Sequence, residues 1–168
     1  MKTIAELRAP LRFHPEEINS IVKYFNEKVI DWNVWLPSRK RNLQRGFVWT
    51  DDQRRELIWS ILMRRHIPRM AMINTIGDVY QVIDGKQRLG SMLAFYNNIF
   101  ALIIDGKEYY YGDLPEEYKT VIAHYPFAYY IVYEGGLHDM ITDDDKITWF
   151  KFINFAGTPQ DKEYFDSL

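Results

Sequence analysis

Five consecutive residues, Asp84-Gly85-Lys86-Gln87-Arg88, bring together a carboxylate, a glycine, two cations and a carboxamide where the hydrophobic pattern changes its period. Val79 to Ile83 before them read as a strand, and Leu89, Met92, Leu93 and Tyr96 after them recur at helical spacing. A helix that begins directly after a strand and a glycine offers unpaired backbone N–H groups and the positive end of its dipole, a combination suited to an anionic oxygen. Lys86 and Arg88 add cationic donors, and Arg88 can present two parallel N–H groups to a phosphate. Gln87 is a neutral donor, and Asp84 is an acceptor suited to a hydrated magnesium ion or to a water that attacks phosphorus. Gly85 would let a ligand approach the main chain. An aspartate-glycine pair followed by a basic residue is also an ordinary turn and helix start, so the residues by themselves leave both readings open.

Positioning these groups requires the elements around them. Met70 to Ile73 and Val79 to Ile83 flank the turn-like Asn74-Thr75-Ile76-Gly77-Asp78 and predict a β-hairpin that delivers Asp84 to its end. Upstream, Pro15 suits a first helical turn, and Ile18, Ile21, Val22 and Phe25 predict an amphipathic helix near 15–27. A loop with Trp32, Trp35 and Pro37 follows. Thr50 and Gln53 form a capping box for a helix over 51–65 that buries Leu57, Ile58, Ile61 and Leu62 and turns Arg54, Arg55, Arg64 and Arg65 outward. Asp105-Gly106 between Phe100 to Ile104 and Lys107 to Tyr111 signals a hairpin with a primed turn. A short helix at 115–123, a strand at 127–133 and a helix at 142–156 stopped by Gly157 complete an α+β fold with a small, mostly antiparallel mixed sheet flanked by helices.

The 168 residues suit one domain, 1–168, large enough to bury a core. With 47% hydrophobic and 16% aromatic residues the chain is too apolar for a disordered tail. No apolar run approaches the roughly 18–20 residues of a membrane span, and Met1 to Glu6 has no signal-peptide core, so a cytoplasmic location without membrane contact is expected. The absence of cysteine excludes disulfides, thiolate metal sites and thiol nucleophiles. The net charge of −2 hides a segregation: from Ser38 to Arg69 nine basic residues face three acids, whereas from Asp105 onward thirteen acids face five lysines. The basic stretch reads either as a face that meets phosphate or as solvated arginines paired with the acidic half.

Several segments resemble, in the same order, those of the GmrSD-type restriction enzymes, whose members include a phosphorothioate-sensing restriction factor. Val82-Ile83-Asp84-Gly85-Lys86-Gln87-Arg88-Leu89 is similar to that family's Asp-Gly-Gln-Gln-Arg signature, and Leu43 to Trp49 to its Tyr-Gln-Arg and Val-Trp block. Leu57 to Leu62 with Ile67-Pro68-Arg69-Met70, Asp113 to Tyr118, and Phe152 to Pro159 resemble further family segments, so the likeness spans about residues 40–160. The resemblance implies a ParB/sulfiredoxin-like domain that binds or hydrolyses a nucleoside triphosphate with Mg2+, usually joined to a separate nuclease in defence against foreign DNA. On that basis residues 1–38 are a helical lead-in and 39–160 the family-like core. Carried over residue by residue, it assigns catalysis to Asp84, Gln87 and Arg88 and nucleotide contact to Gln44, Arg45, Gly85 and Asn154. Asp84 is also the metal candidate.

Two departures bear on that assignment. Lys86 stands where the family has its first glutamine, which favours triphosphate electrostatically, and Gly90-Ser91 stands for a pair of threonines, Ser91 keeping one hydroxyl near the helix start. Lacking cysteine, the chain cannot perform the thiol-based sulfinic acid reduction for which sulfiredoxins are named. His14, His66, His124 and His138 lack ligand spacing, so a zinc site is not expected. Asp143-Asp144-Asp145 suits a helix dipole. Trp32, Trp35, Trp49 and Trp59 are expected to pack the core, with Trp49 walling the nucleotide site. Tyr109-Tyr110-Tyr111 and Tyr129-Tyr130 either stack on bases or divide between core and surface. Arg54, Arg55, Arg64 and Arg65 are the candidates for DNA backbone contact, a solvated face being the alternative. Three functions follow: a nucleotide-binding domain with NTP hydrolase or phosphotransferase activity on or near DNA; a DNA-binding or nuclease domain using the same phosphate site; and a catalytically inactive interaction protein or inhibitor with a protein partner.

Overall fold

The computed structural model describes residues 11–135 and 141–155. The chain enters as β1 (Leu11–Glu17), α1 (Ile18–Asn26) and β2 (Val29–Asp31), then forms a ribbon of β3 (Trp35–Leu36) and β4 (Arg41–Asn42). The helix α2 (Asp51–Leu62) starts on the expected capping box: Thr50 accepts from the Gln53 N–H while the Gln53 side chain accepts from the Thr50 N–H. Next come β5 (Met70–Asn74), β6 (Val79–Asp84) and α3 (Lys86–Tyr96). A second ribbon, β7 (Leu102–Ile104) and β8 (Lys107–Tyr109), turns at Asp105 and Gly106, whose φ values of 51° and 76° are those a primed turn requires. The chain continues through α4 (Glu116–Ala123), β9 (Pro126–Tyr133) and α5 (Asp143–Phe155).

Five strands form one mixed sheet in the order β1-β9-β5-β6-β2. The pairs β1·β9 and β5·β6 are antiparallel, β5·β9 and β2·β6 parallel, and both ribbons are antiparallel. Because side chains alternate along a strand, the two faces carry separate cores. One face sets Met70, Met72, Tyr80, Val82, Phe127, Tyr129 and Ile131 against α1, α2, α3 and α4. On the other, Ala71, Ile73 and Ile83 meet Val34 and Leu36 of the first ribbon and Ile147, Phe150 and Ile153 of α5. Helices thus sandwich the end of β6 from both sides. The α+β architecture expected from the element order is what forms.

The N-terminal part departs from the expectation. Pro15 lies in β1 opposite Ala128, and α1 starts only at Ile18. Proline cannot donate to a ladder, but β1 is an edge strand, where that loss is tolerated. Residues 11–31 are therefore more than a helical lead-in: they supply both edge strands of the sheet. Gly157, the expected stop of the last helix, lies outside the described residues.

Candidate functional site

The expected strand-glycine-helix junction exists and is built by a bulge. Ala71 pairs with Asp84 and Met72 with Val82, so Ile83 is the extra residue, and the bend turns Asp84 toward the end of the sheet. Gly85 then adopts φ 97° as the N-cap of α3, and its carbonyl accepts from the Leu89 N–H at 2.8 Å. Among the described residues no side chain caps this helix. A Cβ on Gly85 would lie 2.7 Å from Cγ of Met70, so the glycine is required by space as well as by φ. Arg88, one turn on, donates from Nη2 to Asp84 Oδ2 at 3.2 Å and to the Arg69 carbonyl at 2.9 Å. Its Nε is buried and has no partner among the described residues.

The other residues of the signature face the opposite way, onto the segment 44–49. Lys86 is only 3% exposed; its ammonium donates to the Arg45 carbonyl and to Asn33 Oδ1 and sits 4.7 Å from the Phe47 ring centre. Burial lowers its pKa, against the opposing attraction of Asp31. The lysine expected to hold phosphate is thus turned into the protein, where an ammonium buried among carbonyl acceptors holds a loop. Gln87 accepts from the N–H groups of Val48 and Trp49, both at 3.3 Å, and donates to the Gly46 carbonyl. Gln44 donates to the carbonyls of Val82 and Ile83. Three side chains therefore clamp one loop over the junction, leaving the Arg45 side chain exposed.

The Gly90-Ser91 pair has a geometric reading. A Cβ on Gly90 would lie 2.4 Å from Cε1 of Phe47, so the glycine makes room for that ring on α3. Phe47 in turn packs edge-on against Trp32 at 5.2 Å. Ser91 is 2% exposed, inside the core rather than at the mouth of the helix. Trp49 packs beside the junction as expected, with Trp32 and Trp59 also against the core, whereas Trp35 is half exposed. Asn154 is exposed on α5 and donates to the Phe150 carbonyl; among the described residues no hydrogen bond joins it to the signature.

The four arginines of the α2 region do not form one face. Arg55 donates to the Ala101 carbonyl and pairs with Asp52, while Arg54 lies over the Phe100 ring. Arg64 and Arg65 lie beyond the helix end, Arg65 being paired with Glu56. Asp143 and Asp144 serve the start of α5: Asp143 accepts from the N–H and hydroxyl of Ser38, and Asp144 pairs with Arg39 at 2.6 Å. His14 stacks on Tyr129 and His124 meets Glu17, whereas His138 lies outside the described residues. Among the described residues no three His, Cys, Asp or Glu side chains converge on one point, and no helix is long and apolar enough to cross a membrane.

The chain is thus an α+β domain whose central sheet ends in a bulged Asp-Gly turn, with a helix start that no described side chain caps and an Arg88–Asp84 pair beside it. The family described as the GmrSD restriction endonuclease, N-terminal domain, matches residues 23–167, and the chain belongs to it. That membership places the chain in restriction, the defence against foreign DNA, and extends the likeness beyond residues 40–160. No curated protein and no solved structure matches the chain.

Proposed function

We propose that the junction binds the phosphates of a nucleoside triphosphate with magnesium, and that the domain is an NTP hydrolase or phosphotransferase working on or near DNA beside a separate nuclease partner. The observation that carries this reading is the unpartnered Nε of Arg88. A buried guanidinium N–H without an acceptor costs free energy, and an anionic oxygen entering at the helix start would supply one. The Arg69 carbonyl and the Asp84 carboxylate hold the guanidinium in place beforehand, and α3 starts at the same junction with no described side chain as its cap.

The donor set also fits the metal. Among the described residues no three acid or histidine side chains converge on Asp84, which suits a magnesium ion that keeps its waters and its phosphate oxygens better than a cation caged by protein alone. Magnesium there would neutralise charge on the phosphates. Asp84 uses Oδ2 for Arg88 and has acceptor capacity left to orient a water and hold its proton. Gln87, Gln44 and Lys86 serve by fixing the 44–49 loop, which presents Arg45 beside the site. Asn154 and Ser91 have no part in it.

Thermal stability and phosphate release with ATP, GTP and CTP in magnesium, for the natural protein beside Arg88→Ala and Asp84→Asn, test the reading. A ligand of the folded state raises the melting temperature. A shift with turnover is expected, with the shift lost in Arg88→Ala and turnover lost in Asp84→Asn. No shift with any nucleotide, together with salt-sensitive DNA binding, would move the site to backbone phosphate.

A further inference from the structure

We infer that Arg69 and the aromatic pair behind it are the stacking surface for the base of the nucleotide whose phosphates the junction holds, an assignment that rests on the nucleotide reading above. The Arg69 carbonyl accepts from Arg88 at 2.9 Å, so this residue is joined directly to the phosphate side of the site. Its side chain runs the other way, with the guanidinium 5.0 Å from the Phe13 ring centre, 5.9 Å from that of Tyr130, and Nη1 donating to the Tyr130 hydroxyl at 3.1 Å. Phe13 and Tyr130 support each other at 5.1 Å.

The register of the sheet puts these groups in one row. Phe13 pairs with Tyr130, Tyr130 with Ala71, and Ala71 with Asp84. Across this row two strand spacings, roughly 10 Å, separate Tyr130 from Asp84. A triphosphate and a ribose can span that gap. The side chains of Arg69 and Phe13 are exposed, Phe13 by 45%.

A free arginine samples many rotamers, whereas this guanidinium is held by two rings and a hydroxyl. A planar cation backed by aromatics and open on its outer side is a surface on which a base can stack. Every base has such a face, so this surface selects for the presence of a base and reads little of its identity. Of the three residues, Phe13 on β1 lies outside the residues matched by the family, whereas Arg69 and Tyr130 lie within them.

The test compares ATP with inorganic tripolyphosphate, each with magnesium, by titration calorimetry on the natural protein, Arg69→Lys and Phe13→Ala. Arg69→Lys keeps the charge and the carbonyl that holds Arg88, and removes only the plate. The expected result is a loss of about tenfold in ATP affinity in each variant with tripolyphosphate unchanged. Equal losses for both ligands, or no loss for either, would overturn the stacking role while leaving the phosphate site standing. Failure of the natural protein to bind either ligand would instead remove the nucleotide reading and this assignment with it.

Discussion

Gly85→Ala and Gly106→Ala form a matched pair that separates two reasons for a glycine. Both positions have positive φ, 97° and 76°, so each alanine incurs the left-handed penalty of about 1–2 kcal/mol. Each also gains about 0.4–1 kcal/mol from a less disordered unfolded chain. At Gly106 nothing lies within 4 Å of the added Cβ, and the account ends there, at a net loss of about 0–1.6 kcal/mol. At Gly85 the Cβ meets Met70 Cγ at 2.7 Å, Met70 Cβ at 3.3 Å and Arg88 Nη2 at 3.3 Å. Met70 is fully buried and cannot swing away, so an overpacking cost of about 1–3 kcal/mol is added. For a chain of this size that difference separates the two melting temperatures by roughly 2–12 °C, Gly85→Ala being the lower. Because the displaced atom at Arg88 is the one bonded to the Arg69 carbonyl, Gly85→Ala should also lose its nucleotide-induced shift while Gly106→Ala retains it. Scanning calorimetry with and without ATP measures both effects. Equal melting temperatures would refute the close approach of Met70 as the reason for the glycine.

Two further outcomes follow from burial. Lys86→Ala leaves the Arg45 carbonyl and Asn33 Oδ1 without their donor, for a loss of about 2–4 kcal/mol and faster amide exchange at Val48 and Trp49; Lys86→Gln, which restores a donor, should lose less than half as much, and equal losses would count against the clamp. Burial raises the phenol pKa of Tyr80, Tyr111, Tyr125, Tyr129 and Tyr133, that of Tyr129 to about 12. Below pH 10 these phenols are neutral in both states. Above it the unfolded chain releases protons that the folded chain retains, so stability falls with pH through the window up to the folded values. The lowered pKa of Lys86 acts with the opposite sign below 10.5, but it is one group against five. Urea midpoints at pH 9, 10 and 11 should decline across the last step, and a flat series would contradict the burial of these rings.

Local signals were legible wherever a few adjacent residues decide the backbone. Thr50 and Gln53 cap α2, Asp105 and Gly106 turn the second ribbon, and the change of period at Gly85 marks the strand-to-helix junction, because capping, turn geometry and side-chain spacing act within about one turn of chain. The ordered series of family-like segments was legible for the same reason, and it located Asp84, Gly85 and Arg88 at one junction. What needed the tertiary structure was everything that depends on distant partners. Pro15 reads as a helix start until β9 arrives to pair with it, since the pairing Phe13 to Tyr130 joins residues far apart in the chain. Lys86 reads as a phosphate ligand until the Arg45 carbonyl and Phe47 enclose its ammonium, and the four arginines read as one face until Asp52, Glu56 and Ala101 claim two of them. Chain order carries the type of each group, but the direction in which a long flexible cation points is set by whichever acceptors folding brings within reach.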